Sequence, residues 1–220
     1  MLKRAHIIIL LALCCLALAA GALPAAAQQV KRDVDYRLIP QQPVETGDKI
    51  EVIDFFWYGC PYCNELQPYL ERWRKNMPAD VVLRRVPVVR HDNWGPHARI
   101  YYALVTLGEV ERLHLDVYHG YHVEDLYMSR PEVMLEWALK HGIDREKWLA
   151  AYNAPDMAQK IERAKDLTKK YDIQATPSIV VDGRYLTSTS MTPTVSGVIP
   201  VLDGLIRLAR QQRLEKSGGK

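Results

Sequence analysis

Ile50-Glu-Val-Ile-Asp-Phe-Phe-Trp57-Tyr58-Gly59-Cys60-Pro61-Tyr62-Cys63 is the stretch whose reading decides the fold. From Ile50 to Trp57 it is apolar apart from Glu51 and Asp54, the pattern of a central strand buried on both faces. Pro61 suits the first turn of a helix, where its missing N–H costs nothing. Leu66, Tyr69, Leu70 and Trp73 continue that helix as an apolar stripe at three- and four-residue spacing. Val81 to Val89 is rich in valine and reads as a second strand. Strand, helix, strand is a βαβ unit, so the fold class is α/β.

Working outward, the chain from Gln28 to Gly47 is polar, holds Pro40 and Pro43, and reads as an irregular entry with a short strand near Tyr36–Ile39. From about Asn93 to Ala164 the pattern is helical. Ile100, Ala103, Leu104 and Leu107 form one stripe, and Val133, Leu135, Trp137, Ala138 and Leu139 another. Asp144 is expected to cap a helix through Trp148, and Asp156 to begin one reaching Tyr171. Ala175-Thr176-Pro177 breaks the pattern. Ser178–Val181, Asp182-Gly183 and Arg184–Leu186 then predict a hairpin with a primed turn. A last amphipathic helix uses Val201, Leu202, Leu205, Ile206 and Leu208. There is no internal repeat and no low-complexity linker.

Composition bounds the function. The 220 residues are 48% hydrophobic and 25% charged, with a net charge of +3, which excludes a disordered chain. No basic run accompanies the mild positive charge, which argues against nucleic-acid binding. Lys3 and Arg4, the apolar stretch Ile7–Ala20 and Ala25-Ala26-Ala27 have the three parts of a secretory signal peptide, residues 1–27. A retained anchor and lipidation at Cys14 or Cys15 are the alternatives. The apolar stretch falls short of a membrane span, and Leu13 before Cys14 is not the small residue a lipoprotein site carries. Cleavage after Ala27 would leave 193 residues, a net charge of +1 and two cysteines, Cys60 and Cys63. A soluble monomer in an oxidising compartment is expected, and the ending Lys216–Lys220 is not an endoplasmic-reticulum retention signal, which favours a bacterial periplasm.

Cys60-Pro61-Tyr62-Cys63 is the candidate site. At a helix start, unsatisfied N–H groups and the macrodipole favour an anion, so Cys60 is the expected thiolate. Cys63, a turn further in, is the expected resolving thiol. Two alternatives stand beside the redox reading. A zinc site would need two more ligands, and only His119 and His122 offer a suitable spacing. A structural disulfide closing so short a loop would remove little chain entropy. Asp54 is an acid in an apolar strand: either it lies beneath the dithiol with a raised pKa, or it faces water at the strand end. Arg84 and Arg85 are both in reach of it by sequence. His91, Asn93, Trp94 and His97 either line a groove beside Cys60 or form a solvated loop. Trp73, Trp137 and Trp148 read as structural anchors.

Phe55–Cys63, with Ala175-Thr176-Pro177-Ser178 far downstream, resembles the DsbA-like periplasmic thiol:disulfide interchange proteins over the whole mature chain. The resemblance implies a thioredoxin-like fold, residues 28–92 and 165–220, with a helical insertion at 93–164. It implies Cys60 as nucleophile, Cys63 as resolving cysteine, Pro177 as the cis-proline, and the Thr176 backbone as a pairing strand for substrate. Asp54 matches the family's buried acid, expected to pass a proton to Cys63. Family members that are strong oxidants carry histidine where this chain has Tyr62, so a milder oxidant is expected, within a range of ~150 mV between DsbA and thioredoxin.

The activity that follows is donation of the Cys60–Cys63 disulfide to thiols of newly exported polypeptides. By resemblance, reoxidation falls to a DsbB-type membrane quinone reductase. No cofactor or metal is called for, because the electrons rest on the two sulfurs. A periplasmic isomerase or reductant is the redox rival. A DsbC-type isomerase would add an N-terminal dimerisation domain, for which Gln28–Gly47 is too short. A non-catalytic, chaperone-like peptide-binding module with a structural disulfide is the rival of another class.

Overall fold

The computed structural model describes residues 29–218, so the expected signal peptide, residues 1–27, lies outside the described residues. The quoted stretch forms β2 (Ile50–Phe56), preceded by a two-residue β1 (Arg37–Leu38) and followed by α1 (Pro61–Lys75) and β3 (Val81–Pro87). Five helices come next: α2 (Gly95–Leu107), α3 (Val110–His122), α4 (Pro131–Lys140), α5 (Arg145–Tyr152) and α6 (Met157–Lys170). The chain ends with β4 (Ser178–Val181), β5 (Tyr185–Ser188) and α7 (Val198–Gly218).

The sheet order is β1-β5-β4-β2-β3, with β2 and β3 parallel and the other neighbours antiparallel. Every residue of β2 is buried, as its two-sided apolar pattern requires. Alternation sends Ile50 and Val52 to one face, where Leu66, Leu70 and Trp73 of α1 and Val201, Leu202 and Leu205 of α7 cover them. Ile53 and Phe55 go to the other face, against Val86, Val180, Ala164 and Tyr171. A third cluster packs Phe56, Tyr58, Cys60 and Cys63 against Ile100, Leu104, Leu113, Val117, Tyr118, Trp137 and Trp148 of the helical block. The dithiol therefore sits where the sheet's core meets the helices.

Local chemistry explains the boundaries. Pro96 and Pro131 stand in the first turns of α2 and α4. The Asp144 carboxylate accepts from the Lys147 N–H at 3.0 Å, the cap read from sequence. Asp156 precedes α6 but caps nothing with its side chain, and pairs instead with Lys160. Between β4 and β5, Asp182 and Gly183 both have positive φ, 52° and 68°, which is the primed turn. A Cβ on Gly183 would lie 2.3 Å from the Gln42 carbonyl oxygen, so the position has room only for glycine. The second strand stops at Pro87 rather than Val89, although Val88 still donates to the Phe56 carbonyl at 2.7 Å.

Candidate active site

Cys60 is the N-cap of α1, and its sulfur accepts from the Cys63 backbone N–H at 3.4 Å. The cap works because Pro61 fixes the first helical residue, while the Cys60 N–H is held by the Trp57 carbonyl at 3.0 Å. Both cysteines are free thiols. Cys60 retains 6% exposure and Cys63 has none.

That difference in depth separates their chemistry. The Cys60 thiol falls from an ordinary value of 9.0 to about 6, chiefly through a hydrogen bond with the Cys63 side chain. The Thr176 side chain and the N–H groups of Cys63 and Tyr62 add to it, against the opposing pull of burial. Cys63 is pushed well above 9.0, first by burial and then by its neighbour Cys60. At neutral pH one sulfur is a thiolate and the other a thiol, which is the division of labour thiol–disulfide exchange needs.

The Thr176–Pro177 bond is cis, and the Cys60 thiol donates to the Thr176 carbonyl at 3.2 Å. The loop expected from the distant Ala175-Thr176-Pro177 thus closes over the dithiol, with Pro177 buried. Tyr62, between the cysteines, is 60% exposed, and it assists the thiolate only through its backbone N–H, not through its side chain.

Asp54 is fully buried, so the water-facing alternative is excluded. Its carboxyl rises from 3.8 to about 6, driven by desolvation and opposed by a hydrogen bond from Gln67 Nε2 to Oδ2 at 2.9 Å. Neither arginine forms an ion pair with it. Arg84 points to the opposite face of the sheet and binds Glu51 and Glu45. Arg85, directly across the ladder from Asp54, acts on it only through space, because Glu71 and Glu111 hold its guanidinium.

The residues at the start of the helical block divide. His97 is buried and, with Trp57, Asn93, Tyr121 and Tyr127, lines a cavity of about 540 Å³ beside the site. Trp94 stacks on Trp57 at 3.9 Å, whereas His91 and Asn93 are exposed. His119 and His122 diverge: His119 lies 3.6 Å from Glu124, and the His122 ring meets the Tyr58 carbonyl at 2.8 Å. Among the described residues no His, Cys, Asp and Glu cluster suits a metal ion.

Sequence reasoning missed Gln67 and the aromatic wall formed by Tyr58, His114 and Tyr118. Tyr58 and His114 share a buried hydrogen bond of 2.9 Å. A polar Gln67 between Leu66 and Leu70, on the buried side of an amphipathic helix, was the available signal. The histidine and tyrosine of α3 carried none, since nothing local ties residue 118 to residue 63.

Residues 95–199 match the family model for the DSBA-like thioredoxin domain, a span that begins after the cysteines. The thiol:disulfide interchange protein DsbA of Burkholderia cepacia is 33% identical over 201 residues, covering 90% of this chain and 95% of that one. The chain belongs to the DsbA family. It is a thiol:disulfide oxidoreductase. DsbA of Bordetella parapertussis is 36% identical over 197 residues, 89% of this chain and 94% of the relative. The crystal structure of Pseudomonas aeruginosa DsbA superposes with a TM-score of 0.79 at 29% identity, covering 84% of this chain and 96% of that one. The thioredoxin-like DsbA fold expected from the sequence is the fold observed.

Proposed function

We propose that the Cys60–Cys63 disulfide is donated to thiols of newly exported, folding polypeptides, with Cys60 as the sulfur attacked. A substrate thiolate attacks Cys60 Sγ, the new S–S bond forms there, and the electron pair of the broken bond stays on Cys63. A second substrate thiol then releases Cys60 as a thiolate. The opposite displacement of the two thiols, Cys60 down to about 6 and Cys63 up, is the observation that carries this reading, because it makes Cys60 the better leaving group. Thr176 and Pro177 form the wall against which an extended substrate strand lies, and Asp54 supplies the proton that Cys63 takes up.

The wider setting is part of the same proposal. The protein acts as a monomer in the periplasm after loss of residues 1–27, and a DsbB-type membrane quinone reductase restores the disulfide. Among the described residues no helix is long and apolar enough to cross a membrane. Residues 28–92 and 165–220 form the thioredoxin-like part around an insertion at 93–164, with α6 carrying the chain across the second boundary.

Equilibration of the Cys60–Cys63 pair with glutathione tests the direction of transfer. An oxidase is expected to sit well above the roughly −270 mV of thioredoxin, and below the −120 mV of DsbA itself because the Tyr62 side chain gives the thiolate no hydrogen bond or charge. A potential near −270 mV would make the protein a reductant. Cys60→Ser is expected to abolish disulfide transfer; a parent protein that transfers no disulfide and a variant that keeps the parent's full chaperone activity would mean a chaperone-like module instead.

A further inference from the structure

Tyr118, in the middle of α3, is 1% exposed and belongs to the cluster that holds Cys60 and Cys63. Its ring is fixed on three sides. It meets Tyr58 edge-on at 4.9 Å and His114 at 5.3 Å, and it stacks on His122 at 6.1 Å. Phenylalanine would fill that space equally well. The hydroxyl instead adds a buried donor that has no hydrogen-bond partner, an arrangement that costs stability unless some state of the molecule uses it. The titratable groups whose charge reaches it are Cys63 from α1, Cys60 at the N-cap of that helix, Asp54 from β2 and Tyr58 from the turn after β2, while the His114 and His122 rings of its own helix pack against it. His114 is already engaged with Tyr58, and Asp54 with Gln67. Cys63 is the strongest electrostatic neighbour of the phenol, which burial keeps protonated.

A partner for that donor is created by the reaction itself. When a substrate thiolate attacks Cys60, the S–S bond breaks and the electron pair passes to Cys63, which becomes a thiolate at a fully buried position. A thiolate there is unfavourable until it is protonated or receives a hydrogen bond. We propose that the Tyr118 hydroxyl is the donor reserved for the Cys63 thiolate, engaged only while that sulfur carries charge. The phenol keeps its proton, and the proton that neutralises Cys63 comes from elsewhere. Asp54 and Tyr118 thus have different tasks: one changes protonation state and the other does not. The inference rests on Cys60 being the sulfur attacked.

Stopped-flow reduction of the oxidised full-length protein by reduced glutathione tests it, with Tyr118→Phe compared to the parent. The variant is expected to open its disulfide about tenfold more slowly, the effect of losing a hydrogen bond to a charged group. Closure of the disulfide is expected to slow by the same factor, leaving the glutathione equilibrium within about twofold, because a donor to a transient charge lowers both barriers. The slowing is expected to be uniform from pH 5 to 8, since the tyrosine does not titrate there. Asp54→Ala, in contrast, is expected to change the shape of the profile near pH 6. The variant is also expected to melt no lower than the parent, as its hydroxyl has no resting partner. Rates within twofold of the parent would overturn the proposal. So would a destabilised or unfolded variant, which would mean that the hydroxyl is already bonded in the resting protein. If glutathione adds to Cys63 in the parent protein, the assignment of Cys60 fails instead, and mapping the mixed disulfide by mass spectrometry distinguishes the two.

Discussion

Asp54 shows how one side chain's surroundings set its chemistry and its cost. Desolvation lifts its carboxyl from 3.8 to about 6 in the folded protein. Burial therefore weighs against folding wherever the exposed acid would be ionised. The penalty is absent below about pH 4, grows between 4 and 6, and levels off above at about 3 kcal/mol. The residue is kept at that expense with one carboxylate oxygen bonded to Gln67 and the other unpartnered, so its burial does not serve stability. Asp54→Asn is expected to be more stable than the parent by up to about 3 kcal/mol at pH 8, with the gain gone near pH 4. Urea melts at the two pH values check this on the disulfide form, where neither cysteine titrates. A gain of equal size at both would mean that the carboxyl ionises at an ordinary value. The sequence showed that an acid stood in an apolar strand, and left open whether it faced water; only the packing of α1 and α3 over β2 settles that.

At the scale of elements, β2, α1, the cysteine turn, the Asp182-Gly183 hairpin and the last helix were legible, because each is specified by residues adjacent in the chain. The two-sided apolar run, Pro61, and paired positive-φ residues are local instructions. Less legible was α3, whose role comes from what it presents to a site some fifty residues earlier. Gly59 is a local choice with a tertiary reason. A Cβ there would lie 2.3 Å from the Trp57 ring, which folds back over the glycine and stacks on Trp94 at 3.9 Å with the planes 3° apart. The indole has little freedom to retreat, since His97 flanks it as well. Gly59→Ala is expected to cost about 1–3 kcal/mol, the range for overpacking a filled site. It is also expected to weaken the near-ultraviolet circular dichroism of the stacked indoles. A variant with parental stability and spectrum would mean that Trp57 leaves the glycine free.

Across the whole molecule, the helical block must stay seated on the sheet for its aromatic wall to reach the dithiol, and ion pairs join α1 and β3 to α3. Arg74 and Glu71 of α1, Arg85 of β3 and Glu111 of α3 form a closed ring in which each glutamate meets both arginines. The Tyr101 hydroxyl on α2 adds a bond to the Arg85 carbonyl at 3.2 Å. Sequence named Arg85 only as a possible partner of Asp54; the ring joins four residues from three elements, and no spacing along the chain predicts it. Its members differ in depth. The Arg85 side chain is 4% exposed and that of Glu71 10%, whereas Glu111 is 55% exposed. Removing the buried cation leaves Glu71 desolvated and short of one partner, a loss of about 3–5 kcal/mol. Removing the exposed carboxylate takes away a pair that water and salt already weaken, a loss of at most about 1 kcal/mol. Arg85→Leu is therefore expected to lower the unfolding midpoint severely and almost independently of salt. Glu111→Gln is expected to lower it slightly, with the difference from the parent vanishing by 1 M salt, where the screening length is about 3 Å. Equal losses from the two variants would show that the ring acts as a solvated surface network, and that apolar packing alone holds the helical block in place.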